Sequence, residues 1–181
     1  MRGVEVVAGA VATFAVIGSL GTATSAHASN YGIELNGTYR ATSNGDWAQT
    51  SAGPNGAGGA EVYIDQPTKV ETWTVTSDCV SPIECTGEVR SDVGWTASLK
   101  FNIDVWLVDR DIQNWEPCPD GTAAPGHQKF QLWGFDPATS QKIAKAVNLL
   151  VGFERTLAPS GACGFNKPVV TELPARLEKM S

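Results

Sequence analysis

The sequence predicts an all-β domain, most simply a single small antiparallel meander barrel of about eight strands, with a two-sheet β-sandwich as the alternative. Three observations point there. Apolar and polar residues alternate over short runs, as in Val70-Glu71-Thr72-Trp73-Thr74-Val75-Thr76-Ser77. Asn-Gly, Asp-Gly and Pro-rich turn signals separate those runs. Only residues 140–151 have a helix-like pattern, in Ile143, Val147 and Leu150, and Leu149–Phe153 suits a strand as well.

Taken in order, a first strand is expected over residues 35–43. It ends at Ser43-Asn44-Gly45-Asp46, because Asn and Gly tolerate the positive φ of a tight turn. Residues 52–60 (AGPNGAGGA) read as a loop. A phosphate cradle would need Lys-Ser/Thr opening a helix, whereas Glu61-Val62-Tyr63-Ile64 is strand-like. In residues 70–77, Trp73 and Val75 face inward and the threonines outward. Cys79 and Cys85 bracket a short loop, and residues 86–91 resume a strand, so a stapled hairpin is expected. A bridge across so short a loop contributes about 2–3 kcal/mol and pins the register.

Residues 94–109 are the most regular stretch. Trp95, Ala97, Leu99, Phe101, Ile103, Val105 and Leu107 alternate with polar residues, except that Trp106 and Val108 stand off the pattern. Two strands joined by a turn near Asn102-Ile103-Asp104 explain the length and the change of facing. Residues 114–126 are rich in Pro and Gly and read as unable to continue a sheet interior. Residues 127–135 (HQKFQLWGF) are strand, with Phe130 and Leu132 opposite Trp133 and Phe135. Residues 168–180 alternate through Val169, Thr171, Leu173, Ala175 and Leu177, with Pro174 marking an edge or a bulge.

The N-terminus sets the compartment. Val6–Leu20 is uncharged and apolar, and Ala26-His27-Ala28 precedes Ser29, the pattern of a secretory signal peptide cut after Ala28. The apolar run is shorter than the roughly 20 residues that span a bilayer, and no twin arginine is present. Residues 1–28 are thus a signal peptide and residues 29–181 a secreted β domain. Four cysteines in an exported chain read as two disulfides with three possible connectivities, and the expected pairing is Cys79–Cys85 and Cys118–Cys163. A net charge of −6 argues against nucleic acid and anionic membrane partners.

Chemistry is sparse. His127 is the single histidine after cleavage and reads as a solvated loop residue. Ser160 lies in a turn, and no nucleophile elbow occurs. One histidine and bridged cysteines leave no usual metal ligand set, and no cofactor is expected. Carboxylates at Asp104, Asp109, Asp111, Glu116 and Asp120 offer the one route to a hydrolase, if two converge at a suitable separation. Asn36-Gly37-Thr38 fits a glycosylation acceptor. All six tryptophans lie after residue 28. Trp47, Trp73, Trp95, Trp106 and Trp133 sit on or beside strands, and Trp73, Trp95 and Trp133 are candidates to line a ligand cavity or fill a core.

The motifs GTYRATSNGDWA, ETWTVTSDCVSPIECTGEVRSDVGW, NWEPCPDGTAAPG and RTLAPSGACG resemble a group of small secreted proteins of mycobacteria and related actinobacteria, over residues 31–177. The resemblance implies an exported protein with two disulfides and transfers no catalytic residue. The expected function is non-catalytic binding of a small apolar ligand or envelope lipid by a monomer. The alternative is a secreted module with a solid core that meets a protein or glycan.

Overall fold

A computed structural model describes residues 30–51, 61–63, 65–164, 166 and 168–180. The signal-peptide expectation (Ala26, Ala28, Ser29) and the glycine-rich loop at 52–60 lie outside the described residues. Eleven strands form: β1 (Gly37–Ser43), β2 (Gln49–Ser51), β3 (Glu61–Tyr63), β4 (Lys69–Ser81), β5 (Glu84–Ser91), β6 (Thr96–Asn102), β7 (Val105–Pro117), β8 (Ala123–Asp136), β9 (Gln141–Lys142), β10 (Leu149–Ala158) and β11 (Val169–Lys179).

Eight of them, β1-β4-β5-β6-β7-β8-β10-β11, close into an antiparallel barrel, because β1 pairs with both β4 and β11. The two disulfides join Cys79 to Cys85 and Cys118 to Cys163. Strand alternation sets the inside. Trp73, Val75, Ser77 and Cys79 of β4 are buried, while Thr74, Thr76 and Asp78 between them are exposed. The change of facing in residues 94–109 falls at Ile103-Asp104, both at positive φ as a two-residue hairpin turn requires. Beyond it Trp106 and Val108 point in, and Ile103 stands out at 67% exposure.

Pro174 sits at a corner of the sheet. Residues 175–179 of β11 pair with β1, and residues 170–172 pair with β2 on the same flank. Between them the chain leaves the sheet through a 3-10 turn at Gly45–Trp47. The Pro174 carbonyl accepts from the Asn44 N–H at 2.8 Å, and the missing proline N–H coincides with the break in the ladder. An edge strand is therefore not needed to accommodate it.

One open alternative is settled and two expectations are corrected. Residues 140–151 form no helix: Gln141–Lys142 pairs with Asp136 and Phe135, and β10 starts at Leu149. Gly134 has no Cβ, so the Ile143 carbonyl can lie against it, and the Ile143 N–H donates to the Gly134 carbonyl at 2.9 Å. The backbone there is tied to the sheet. The Pro/Gly-rich segment does continue the sheet, with β7 running to Pro117 and β8 beginning at Ala123. The ladder accommodates it through a slip between Ile112 and Glu116, where Asn114 adopts φ 54°. The first strand begins at Gly37, and Leu35 belongs to a plug instead.

Candidate functional site

The two ends of the barrel differ in chemistry. One end is closed by residues 30–36. Ile33 and Leu35 are buried against a cluster that includes Phe101, Trp106, Leu150 and Leu177. The plug is tied to β4: the Leu35 N–H donates to Ser77 Oγ at 2.8 Å, and the Ser77 N–H donates to Asn36 Oδ1 at 2.8 Å. The Glu34 carboxylate accepts from the N–H groups of Tyr31, Gly32 and Ile33 at 2.7, 2.9 and 3.1 Å. Burial pushes that carboxyl up, but the backbone N–H groups outweigh it and hold it below its ordinary value.

The opposite mouth is polar, because the inward alternation of three strands delivers charged or amide side chains there. On β7 the inward series Trp106, Val108 continues to Arg110. On β8, Leu132 and Phe130 continue to Gln128, and on β10 Leu150 leads to Glu154 and Thr156. Glu154 and Gln128 are each only 1% exposed. Arg110 Nε donates to Gln128 Oε1, Gln128 Nε2 donates to Glu154 Oε1, and Lys69 Nζ reaches the same oxygen at 2.8 Å. The second carboxylate oxygen of Glu154 and the Thr156 hydroxyl have no partner among the described residues.

Beside this chain lies a second cluster. Glu71 Oε2 accepts from Trp73 Nε1 at 3.0 Å, Trp95 Nε1 at 3.0 Å and Ser91 Oγ at 2.7 Å. Trp73 meets Trp95 and Phe130 edge to face, at centroid distances of 5.3 and 4.8 Å. The Arg110 guanidinium lies 4.2 Å from the Trp95 ring centroid. Burial lowers the Arg110 pKa, while the charges of Glu71 and Glu154 act in the opposite direction. Gly126 gives this mouth its roof: a Cβ there would stand 2.8 Å from Trp115 Cγ and 2.9 Å from Thr156 Cγ2. Only glycine lets the indole settle so close.

Trp73 and Trp95 thus come together, whereas Trp133 faces the outer wall, near Phe153 and under the Lys142 ammonium at 3.8 Å. Trp106 fills the closed end and Trp47 is exposed. Between Trp73, Phe130, Leu132, Ala41 and Ala175 lies a void of about 10 Å³, room for roughly one water at most.

Of the carboxylates singled out in the sequence, the structure brings Asp109 and Asp111 together, on His127. Asp104 is in a hairpin turn at the closed end. Asp109 and Asp111 lie on the outer wall with His127, a half-exposed residue of β8. His127 Nδ1 is 2.8 Å from Asp111 and Nε2 is 3.4 Å from Asp109, with Lys129 also on Asp109 at 3.3 Å. Asp111, His127, Pro125, Leu157 and Pro159 border an open groove of about 400 Å³. Ser160 donates to the Asn166 carbonyl at 2.9 Å. Burial pushes the Glu116 carboxyl up, and the side chain and N–H of Thr122 hold Asp120 down. Among the described residues no three His, Cys, Asp or Glu side chains are placed to hold a metal ion, and no helix is long and apolar enough to cross a membrane.

Arg110, Gln128 and Glu154 are the residues that sequence reasoning missed. A signal was present: each continues an inward-facing alternation by steps of two. No family model matches the chain, and no curated protein does. Among solved structures the chain is similar to the monomer form of the sensor domain of PknI from M. tuberculosis. The match has a TM-score of 0.53 and 16% identity and covers 82% of this chain and 88% of that one. At that identity the likeness is one of fold.

Proposed function

We propose that the chain is an extracytoplasmic, non-catalytic recognition module, a solid barrel that meets its partner at its surface and its polar mouth. The observation that carries this is the filled interior. Trp73, Tyr39, Phe101, Trp106, Phe130 and Leu132 occupy the space an apolar ligand would need, and about 10 Å³ is left between the central side chains. A lipid chain needs far more, since useful ligand pockets run to hundreds of Å³. Of the two readings open in the sequence, the geometry therefore favours the module with a solid core.

Two disulfides suit an oxidising, extracytoplasmic setting. The resemblance to small secreted actinobacterial proteins supports the same compartment, and a fold shared with a domain described as a sensor is compatible with recognition. Native and denatured mass spectrometry of protein recovered from the culture medium tests the reading. The expected result is a bare polypeptide that has lost four hydrogens. A reproducible apolar cargo released on denaturation would overturn the solid-core reading.

A further inference from the structure

We propose that the Arg110 guanidinium, stacked on Trp95 at the polar mouth, is the anchor for a monoanionic carboxylate ligand. The inference rests on the recognition-module reading and gives it a site. Arg110 is half-buried and permanently charged, yet no carboxylate lies in ion-pair distance of it among the described residues. Glu154 Oε1 is committed to Lys69 and Gln128 while its Oε2 has no partner among the described residues, and Glu71 is committed to two indoles and Ser91. Among the described residues the one side-chain hydrogen bond of Arg110 uses Nε, on Gln128. The two Nη groups have no protein partner among the described residues. A charge taken out of water is costly unless it is paired, and this one is held still by a ring on its face and an amide on its edge.

The fork that remains is the half of the guanidinium that pairs with a planar oxyanion through two parallel N–H···O bonds. The neighbouring charges select among oxyanions. Glu71 and Glu154 both act on Arg110, and the chain as a whole carries −6. Each negative charge on a ligand meets that repulsion, so a dianion is disfavoured relative to a monoanion. Free small carboxylates and the C-terminus of a peptide share the required chemistry.

The test is a titration at constant ionic strength, read by calorimetry and tryptophan fluorescence. The probes are sodium acetate, sodium benzoate, the tripeptide Ala-Ala-Ala with a free or an amidated C-terminus, and inorganic phosphate. Saturable binding of acetate or benzoate identifies a small-molecule source, and binding of the free tripeptide but not its amide identifies a chain terminus. Either supports the site. R110K keeps the charge but loses the fork, and is expected to weaken binding by about tenfold or more while leaving the circular dichroism unchanged. No saturable response to any carboxylate overturns the proposal. So does equal binding of the free and amidated tripeptide, phosphate binding as tight as acetate, or R110K binding as well as the parent. A crystal structure with the Nη groups turned onto Glu154 would do the same. A failed titration removes this site and leaves the solid-core reading standing, whereas an apolar cargo removes only the latter.

Discussion

The closed end and the polar mouth are made from the same strands, in the same alternation, yet they resolve the burial of side chains in opposite ways. At the closed end Phe101, Trp106, Leu150 and Leu177 meet a plug of Ile33 and Leu35; the plug's backbone N–H groups are satisfied by Ser77 Oγ and Glu34, and the Asn36 side chain in turn accepts from the Ser77 N–H. At the mouth, Arg110, Gln128, Glu154 and Glu71 are drawn inside with bonds that leave Glu154 Oε2, the Thr156 hydroxyl and the Arg110 fork unsatisfied. Apolar burial stabilises without regard to direction. A buried polar network stabilises only when each member is satisfied. The closed end holds the barrel together, and the mouth is where the barrel retains unused bonding capacity.

That contrast can be broken or sharpened. Trp106→Ala, at the closed end, should cost about 3–5 kcal/mol in denaturant unfolding, since Trp106 is 1% exposed and its loss leaves a cavity. A loss under about 1 kcal/mol would deny that end its structural role. The disulfides come next. In the chain-entropy account a bridge across 45 residues is worth about 4 kcal/mol and one across 6 about 2 kcal/mol. The C118S/C163S double variant should therefore unfold at lower denaturant than C79S/C85S, and the reverse order would show that the Cys79–Cys85 hairpin is the stronger tie.

Glu154→Gln should cost less than either, about 1–2 kcal/mol, because Lys69 is 44% exposed and can turn to water when its partner goes. A cost matching that of Trp106→Ala would make the mouth as structural as the closed end. The smallest effect is a pH effect on the plug. The folded-state pKa of Glu34 is held below 4.5, so its contribution is fully present above 4.5 and is lost as pH falls through the folded value. Protection of the amides of residues 31–35, relative to their intrinsic exchange rate, should fall on acidification below pH 4.5, and in E34Q it should be low at every pH. An unchanged acid profile in that variant would assign the plug's order to Ile33 and Leu35 alone.

Much of the fold was legible because a barrel strand is a period-two pattern. Trp73 and Val75 against three threonines, and the facing change after Ile103, could be read residue by residue. The stapled hairpin followed from two cysteines flanking five residues. Pairings between distant strands were not legible: nothing local says that Tyr39 lies opposite Lys179, and that ladder is what decides barrel over sandwich. Residues 140–151 stayed open between helix and strand because Ile143, Val147 and Leu150 carry a helical spacing, while a bare Gly134 on the neighbouring strand takes up their backbone. The mouth was missed for a different reason. Arg110 and Glu154 stand at inward positions of well-marked strands, and the habit of reading every charge as solvated hid them. Trp133 erred the other way, as an aromatic on a strand that faces out.

The ladder between β1 and β11 has a consequence in time. The strand that opens the barrel finds one of its two partners only in the last strand to be made, and its contacts with it span nearly the whole described chain. Such a closure is slow and comes late. A polypeptide emerging one end first can form the hairpins from β4 to β8 but cannot seal the cylinder, so its first strand stays half-paired until the other end arrives.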